Sequence, residues 1–285
     1  MSLEAVLKPA VSQRWAVGAF NVANHDMAEG VIQAAESVGR PVIVNVAEVH
    51  FPVLEIEEFI HYLRDRMSRS PVPLVLHLDH GNSFDGIMQA IHYGFSSVML
   101  DASKLAYADN AAKTREIVRI AHAAGVSVEA ELGHVGGLEG DRRAAQVVDE
   151  KAFTNPDEAV RFVEKTGVDA LAVAVGTVHG IYQGEPQLDF GRIAALRERL
   201  SIPLVLHGGT GLSRRDFQHA VAAGINKINF YTGLYSPAVQ AIQGVLETEN
   251  GYPELGTLSQ AARKAVRQAV LEQIEVFGTQ ALKGY

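Results

Sequence analysis

Several short segments of this chain combine residue types that suit metal-assisted proton transfer. His80, His179 and His207 offer imidazole nitrogens of the kind zinc takes, and a catalytic zinc uses three protein ligands while keeping one position open. Asp79 directly precedes His80; a carboxylate there can move a proton on a substrate or orient the neighbouring imidazole. Asp101 and Glu131 fit either a second metal position or the orienting of the histidines. The run Gly208-Gly209-Thr210-Gly211 lets backbone N–H groups and a following helix N-terminus close around an anion, with the Thr210 hydroxyl as a further donor. Beyond Glu131, the stretch from Gly133 to Asp141 sets glycine hinges around Glu139. That is the pattern of a lid that carries an acid to a substrate, and equally of an exposed loop with a solvated glutamate.

Residues so far apart need a frame that gathers them. Eight β-rich runs are read at Ala16–Val22, Pro41–Ala47, Leu74–His80, Ser97–Ser103, Val126–Gly133, Ala170–Gly176, Leu204–Gly208 and Lys227–Thr232. Most are continuous Val/Ile/Leu/Ala stretches, as in parallel strands covered on both faces. Helical segments separate them. Asn155-Pro156 followed by Asp157 and Glu158 is an N-cap with proline at the first helical position, and Gly167 ends that helix. Ser213 with Asp216 opens another that stops at Gly224. This alternation predicts one domain over 1–285, a (β/α)8 TIM barrel with extra C-terminal helices after Gly233. An open doubly wound sheet is the alternative, but no Gly-x-Gly-x-x-Gly follows the first strand.

In such a barrel chemistry collects at the C-terminal strand ends, and there the polar residues fall. The third to eighth runs end at Asp79/His80, Asp101, Glu131, His179-Gly180, the glycine turn, and Asn229-Phe230-Tyr231-Thr232. The last two lie where a barrel phosphate site is often built, after strands seven and eight. Any one of these histidines alone is more readily read as a hydrogen-bonded core or surface residue; the set in register is not. His61, His92, His122 and His219 fall on helical segments, and His77 reads as a packed barrel residue.

Composition narrows the partners. In 285 residues, 25 Lys+Arg face 33 Asp+Glu, a formal charge of −8, which argues against nucleic acid or an anionic membrane as the main partner. The absence of cysteine removes disulfides, thiolate zinc sites and thiol nucleophiles together. No apolar run reaches the roughly 18 residues of a membrane span, and the N-terminal stretch with Glu4 is not a signal peptide. A soluble, cytoplasmic protein is expected.

The chain resembles the class II, metal-dependent ketose-bisphosphate aldolases, the group of fructose- and tagatose-bisphosphate aldolases. The likeness runs from Gly18-Ala19-Phe20-Asn21-Val22 to Val276-Phe277-Gly278. Its most specific parts are Leu78-Asp79-His80-Gly81, Glu129-Ala130-Glu131-Leu132-Gly133, Gly176-Thr177-Val178-His179-Gly180 and His207-Gly208-Gly209-Thr210-Gly211. The resemblance implies zinc on His80, His179 and His207, a catalytic Asp79, an alternative metal site at Asp101 and Glu131, and Glu139 as the mobile-loop acid. It implies that Gly180, Gly208, Gly209, Thr210, Gly211, Asn229, Tyr231 and Thr232 hold the phosphate and hydroxyls of dihydroxyacetone phosphate. It also implies a monovalent cation near the phosphate and a homodimer or homotetramer.

The implied activity is reversible cleavage of a sugar phosphate, a ketose phosphate or bisphosphate, into dihydroxyacetone phosphate and an aldehyde, through a zinc-stabilised enediolate. Three departures bear on the sugar: Gln183 where many members have Lys, Tyr231 where a small or acidic residue is usual, and Ala47 where serine is common. Two other readings share the barrel: a metal-dependent sugar-phosphate isomerase or epimerase, and a non-catalytic sugar-phosphate-binding barrel.

Overall fold

The eight β-rich runs close into a parallel barrel. The structure is a computed structural model that describes residues 1–137, 144–145, 150–182, 186–248 and 252–282. Its barrel strands are β1 (Val17–Asn21), β2 (Val42–Ala47), β3 (Leu74–Gly81), β4 (Ser97–Leu100), β5 (Ser127–Leu132), β6 (Ala170–Val173), β7 (Leu204–Leu206) and β8 (Ile225–Phe230). Each pairs with its sequence neighbours and β8 closes on β1 with Val17 opposite Lys227. The helices between them include α2 (His25–Val38), α3 (Ile56–Ser68), α4 (Phe84–Tyr93), α5 (Tyr107–Ala123), α6 (Pro156–Thr166), α7 (Phe190–Arg199) and α8 (Arg214–Ala223). This is the expected (β/α)8 barrel. The helix signals read from sequence operate as cap contacts: Asn155 accepts from the N–H groups of Asp157 and Glu158, and Ser213 and Asp216 form a reciprocal capping box.

The barrel interior is divided along its axis. Period-two alternation points Val17, Ile43, Val75, Ala172 and Val205 inward at the N-terminal end. There they pack with Leu3, Val6, Leu7 and Ala10 of α1 (Leu3–Gln13), which closes that end as an apolar plug. Further along the same inward faces come Asn21, Asn45, His77, Asp79, Glu129, Glu131, His207, Lys227 and Asn229, all buried. Apolar contact closes one half, and hydrogen bonds fill the other.

The expected C-terminal helices are α9 (Thr232–Thr248) and α10 (Leu255–Val276). α10 packs on α2, where a side chain in place of Gly30 would press within 2.8 Å of Val266 Cγ1. Arg263 bonds Asp26 at 2.7 Å across the same contact. The ladders at β4, β6 and β7 stop two or three residues before the runs do, and Thr232 begins α9 instead of ending β8. Glycine turns account for two of these ends: Gly176 and Gly208 have φ of +103° and +68°, a region glycine enters without penalty. Two pairings gave no sequence signal because they are too short for a pattern. Ala144–Ala145 runs parallel to Ile181–Tyr182, and Gly136 bridges Val178, tying the segment after β5 to that after β6. No helix among the described residues is long and apolar enough to cross a membrane.

Gly208 holds the β6 and β7 loops together, since a Cβ there would sit 2.4 Å from the Val178 carbonyl oxygen. Gly39 also has positive φ, at +64°, but faces open space. Gly208→Ala is therefore expected to lower the unfolding free energy in urea by clearly more than the roughly 1 kcal/mol of backbone strain that Gly39→Ala incurs. Equal shifts for the two variants would show that the contact with Val178 relaxes freely.

Candidate active site

In a regular strand, Asp79 and His80 would point to opposite faces. Two features bring both to the mouth. The β3–β4 register slips between Leu78 and Gly81, three steps on β3 against two on β4, and His80 has a φ of +45°. Such a bulge re-aims a side chain, and a non-glycine residue in this region stores about 1–3 kcal/mol of strain. Gly81 allows the slip, because a Cβ there would fall 2.4 Å from the Met99 carbonyl.

His80, His179 and His207 converge, with one nitrogen of each within 4.8 Å of the others. Their partners assign the tautomers. His80 Nδ1 lies 3.0 Å from Asp101 Oδ2, and His207 Nε2 lies 3.0 Å from Glu129 Oε1. An ionised carboxylate only accepts, so those nitrogens carry the protons. The remaining two, His80 Nε2 and His207 Nδ1, then face each other at 3.1 Å with a lone pair each. Burial, reinforced by the neighbouring cationic side chains, pushes His207 well below the usual histidine range, so His207 takes no second proton. His179 enters from the loop after β6, where its N–H donates to the Gly136 carbonyl at 2.7 Å.

The carboxylates around this cluster differ in charge state. Asp79 is buried, which by itself raises its pKa. The neighbouring His80 and His207 imidazoles, the Lys227 ammonium and the Asn21 hydrogen bond more than offset that and bring it below the usual carboxylate range. Its oxygens accept from Asn21 Nδ2 and Asn229 Nδ2, each at 2.7 Å. Burial also raises Asp101, but the hydrogen bond from His80 and the bonds from Ser103 take it well below the usual carboxylate range. Glu131 moves the other way: burial and the nearby Asp101 charge push it up to about 7. Its Oε2 has no hydrogen-bond partner and lies 3.6 Å from His207 Nδ1.

Opposed imidazole lone pairs beside an unbonded, buried carboxylate oxygen are a donor set for a divalent cation. His80, Asp101 and Glu131 form a second converging group that shares His80 with the first. His80, His179, Asp101 and Glu131 line a cleft of about 190 Å³ that reaches Ser103, Lys104 and His134. A larger open hollow of about 520 Å³, lined by Met1, His61 and Arg64, lies at the other end of the barrel, far from these groups.

The other expected residues fall around the mouth. Gly180, Gly208 and Gly211 take positive φ of +83°, +68° and +98°, and Gly209 packs against Phe217 and the Asn229 carbonyl. Thr210 is half-buried, while Asn229 and Thr232 are buried. Tyr231 bonds His50 Nε2 through its hydroxyl at 3.0 Å. His61, His92, His122 and His219 sit on the outer helices α3, α4, α5 and α8. His77 is packed inside the barrel, with Nδ1 2.8 Å from Ser97 Oγ. Glu139 and Gln183 lie outside the described residues. Asn21, Asn45, Glu129 and Lys227 were not singled out from the sequence. Their signal was available in the alternation of β1, β2, β5 and β8, which sets each on the inward face.

The strain at His80 separates ligation from folding. Asparagine tolerates the left-handed region and a β-branched residue does not. His80→Asn and His80→Val should both lose zinc binding. In the chelated state Val should be the less stable by about 1–3 kcal/mol in urea unfolding. Equal stability of the two would remove the strain from the account.

Comparison with known proteins identifies the family. A family model described as fructose-bisphosphate aldolase class-II matches residues 1–281. A fructose-bisphosphate aldolase of Staphylococcus aureus is 38% identical over 98% of this chain and 97% of its own. A probable fructose-bisphosphate aldolase of Bacillus subtilis is 37% identical over 98% of both. The crystal structure of the YdjI aldolase of Escherichia coli K12 superposes with a TM-score of 0.86 at 37% identity, covering 98% of this chain and 97% of that one. With the family model spanning nearly the whole chain and relatives this similar along their full length, the chain belongs to the class II fructose-bisphosphate aldolase family.

Proposed function

We propose that this protein is a zinc-dependent aldolase that cleaves a ketose phosphate or bisphosphate into dihydroxyacetone phosphate and an aldehyde. The observation that carries the reading is the set of His80, His179 and His207 nitrogens converging beside a buried, ionised Asp79. Zinc is the family's usual cofactor, and these three imidazoles would hold it, with Asp101 and Glu131 at an alternative position. Bound there, the metal supplies Lewis acidity to a substrate carbonyl oxygen.

The chain's own residues supply the rest. Asp79 enters as a base because it is ionised, and it takes the proton of the C4 hydroxyl. As that C–O becomes the aldehyde carbonyl, the C3–C4 electron pair passes into the donor half as an enediolate. A proton delivered to C3 then completes dihydroxyacetone phosphate, and Glu139 is assigned to that carbon. Asn21 and Asn229 fix the plane of the Asp79 carboxylate, since each of its oxygens accepts from one amide. The phosphate is assigned to the loops after β6, β7 and β8, through Gly180, the Gly208 to Gly211 turn and the start of α9 at Thr232. The first turn of α8 contributes little, because the capping box there already places the Asp216 carboxylate on the Ser213 N–H.

The test is a panel of ketose phosphates with the zinc-loaded protein. Cleavage should release one dihydroxyacetone phosphate per aldehyde and stop with a chelator. Asp79→Asn should lower kcat by about 10²–10⁴-fold with zinc still bound. Full activity of that variant removes Asp79 from its role. A protein that exchanges the α-proton of ketose phosphates yet cleaves none of them is an isomerase or epimerase instead.

A further inference from the structure

Below the histidines, the barrel holds a charged group that these proton transfers do not use. Lys227 on β8 is fully buried. Its ammonium donates to Asn229 Oδ1 at 2.7 Å and lies 2.8 Å from Glu129 Oε2. The second contact falls outside hydrogen-bond angles, so it is an ion pair held by charge. Burying two charges is costly, and apolar residues of similar volume often serve stability as well or better. Packing therefore does not explain a lysine here.

Direction does. An ammonium has three donors and no acceptor, so it fixes which end of every neighbour points toward it. On one side Glu129 carries that direction onward, because Oε1 accepts from His207 Nε2 at 3.0 Å. A proton on Nε2 leaves Nδ1 as the lone pair facing His80. On the other side, the Asn229 oxygen is bound to Lys227, so its Nδ2 is the end presented to Asp79 Oδ1 at 2.7 Å. A flipped Asn229 would set an amide oxygen against the carboxylate. Asn45 acts likewise on Asn21 at 3.2 Å, and Asn21 then donates to the other Asp79 oxygen.

We propose that Lys227 is the positioning residue of this site: through Glu129 it sets the tautomer of His207, and through Asn229 it sets the plane of the Asp79 carboxylate. The consequence for function rests on the roles of the histidines and Asp79 given above. The wiring itself is independent of any reaction.

The test uses the full chain, stripped of metal and titrated with zinc against a chromogenic chelator. Lys227→Met should weaken zinc binding by about ten- to hundred-fold, the usual effect of losing a group behind a metal ligand. At saturating zinc it should also lower kcat by about ten-fold or more with KM nearly unchanged, the pattern of an interaction acting in the transition state. Thr166→Val, which removes a buried hydroxyl bonded to the Phe162 carbonyl on α6, away from this network, should leave both quantities unchanged. If Lys227→Met does not fold, the charge-balanced pair Lys227→Met with Glu129→Gln decides. Compared with Glu129→Gln alone it should have the lower kcat, because only the pair also releases the Asn229 oxygen from Lys227, and equal kcat of the two overturns the proposal.

Nitrogen-15 spectra of the metal-free wild type should show His207 protonated at Nε2. Protonation at Nδ1, or a folded Lys227 variant with wild-type zinc affinity and kcat, overturns the proposal. A wild type with the expected tautomer and zinc binding that cleaves no ketose phosphate overturns the catalytic reading alone.

Discussion

Two imidazole lone pairs held 3.1 Å apart, on His80 Nε2 and His207 Nδ1, are the constraint from which the rest of this site follows. Such an arrangement is repulsive by itself. It persists because each ring is fixed from behind, His80 by Asp101 and His207 by Glu129, and because burial keeps His207 from taking a proton. What relieves the repulsion is a cation, and the unbonded oxygen of Glu131 beside it adds a further donor. Carboxylates that hold ligating imidazoles in one tautomer also raise their basicity.

The fold makes this possible by separating two tasks along one axis. The apolar plug of α1 and the inward residues at the N-terminal end seal the barrel without polar groups. That leaves the other half free to carry a charged interior, where Lys227 and Glu129 balance each other and the asparagines extend their direction to Asp79. The strain at His80 belongs to the same arrangement. A strand that kept strict alternation would turn either Asp79 or His80 away from the mouth, and the bulge against β4 lets both face it.

Much of this was legible in the sequence, and what was not has physical reasons. Continuous apolar runs at regular intervals announced the parallel barrel, and the strand-end positions of His80, His179 and His207 announced the cluster. Cap residues such as Asn155 and Ser213 located helix starts because a cap is a local hydrogen bond. The partners behind the histidines were missed because they belong to other strands. Glu129 meets His207, and Lys227 meets Glu129, only after β5, β7 and β8 have taken their places in a closed barrel. Asp79 shows the same limit. Its neighbour His80 was visible at once, whereas the two asparagines that hold it lie 58 and 150 residues away. The pairing of Ala144–Ala145 with Ile181–Tyr182 was invisible for another reason: two residues carry no periodicity.

The measurement closest to the centre of this account needs no knowledge of the acceptor aldehyde. The zinc-loaded protein is incubated with dihydroxyacetone phosphate in D₂O, with and without a chelator, and the C3 protons are followed by NMR. The account predicts stereospecific loss of one C3 proton that the chelator abolishes, because the histidine cluster must hold a metal for the enediolate to form. No exchange with zinc confirmed bound, or exchange that persists in chelator, would contradict it.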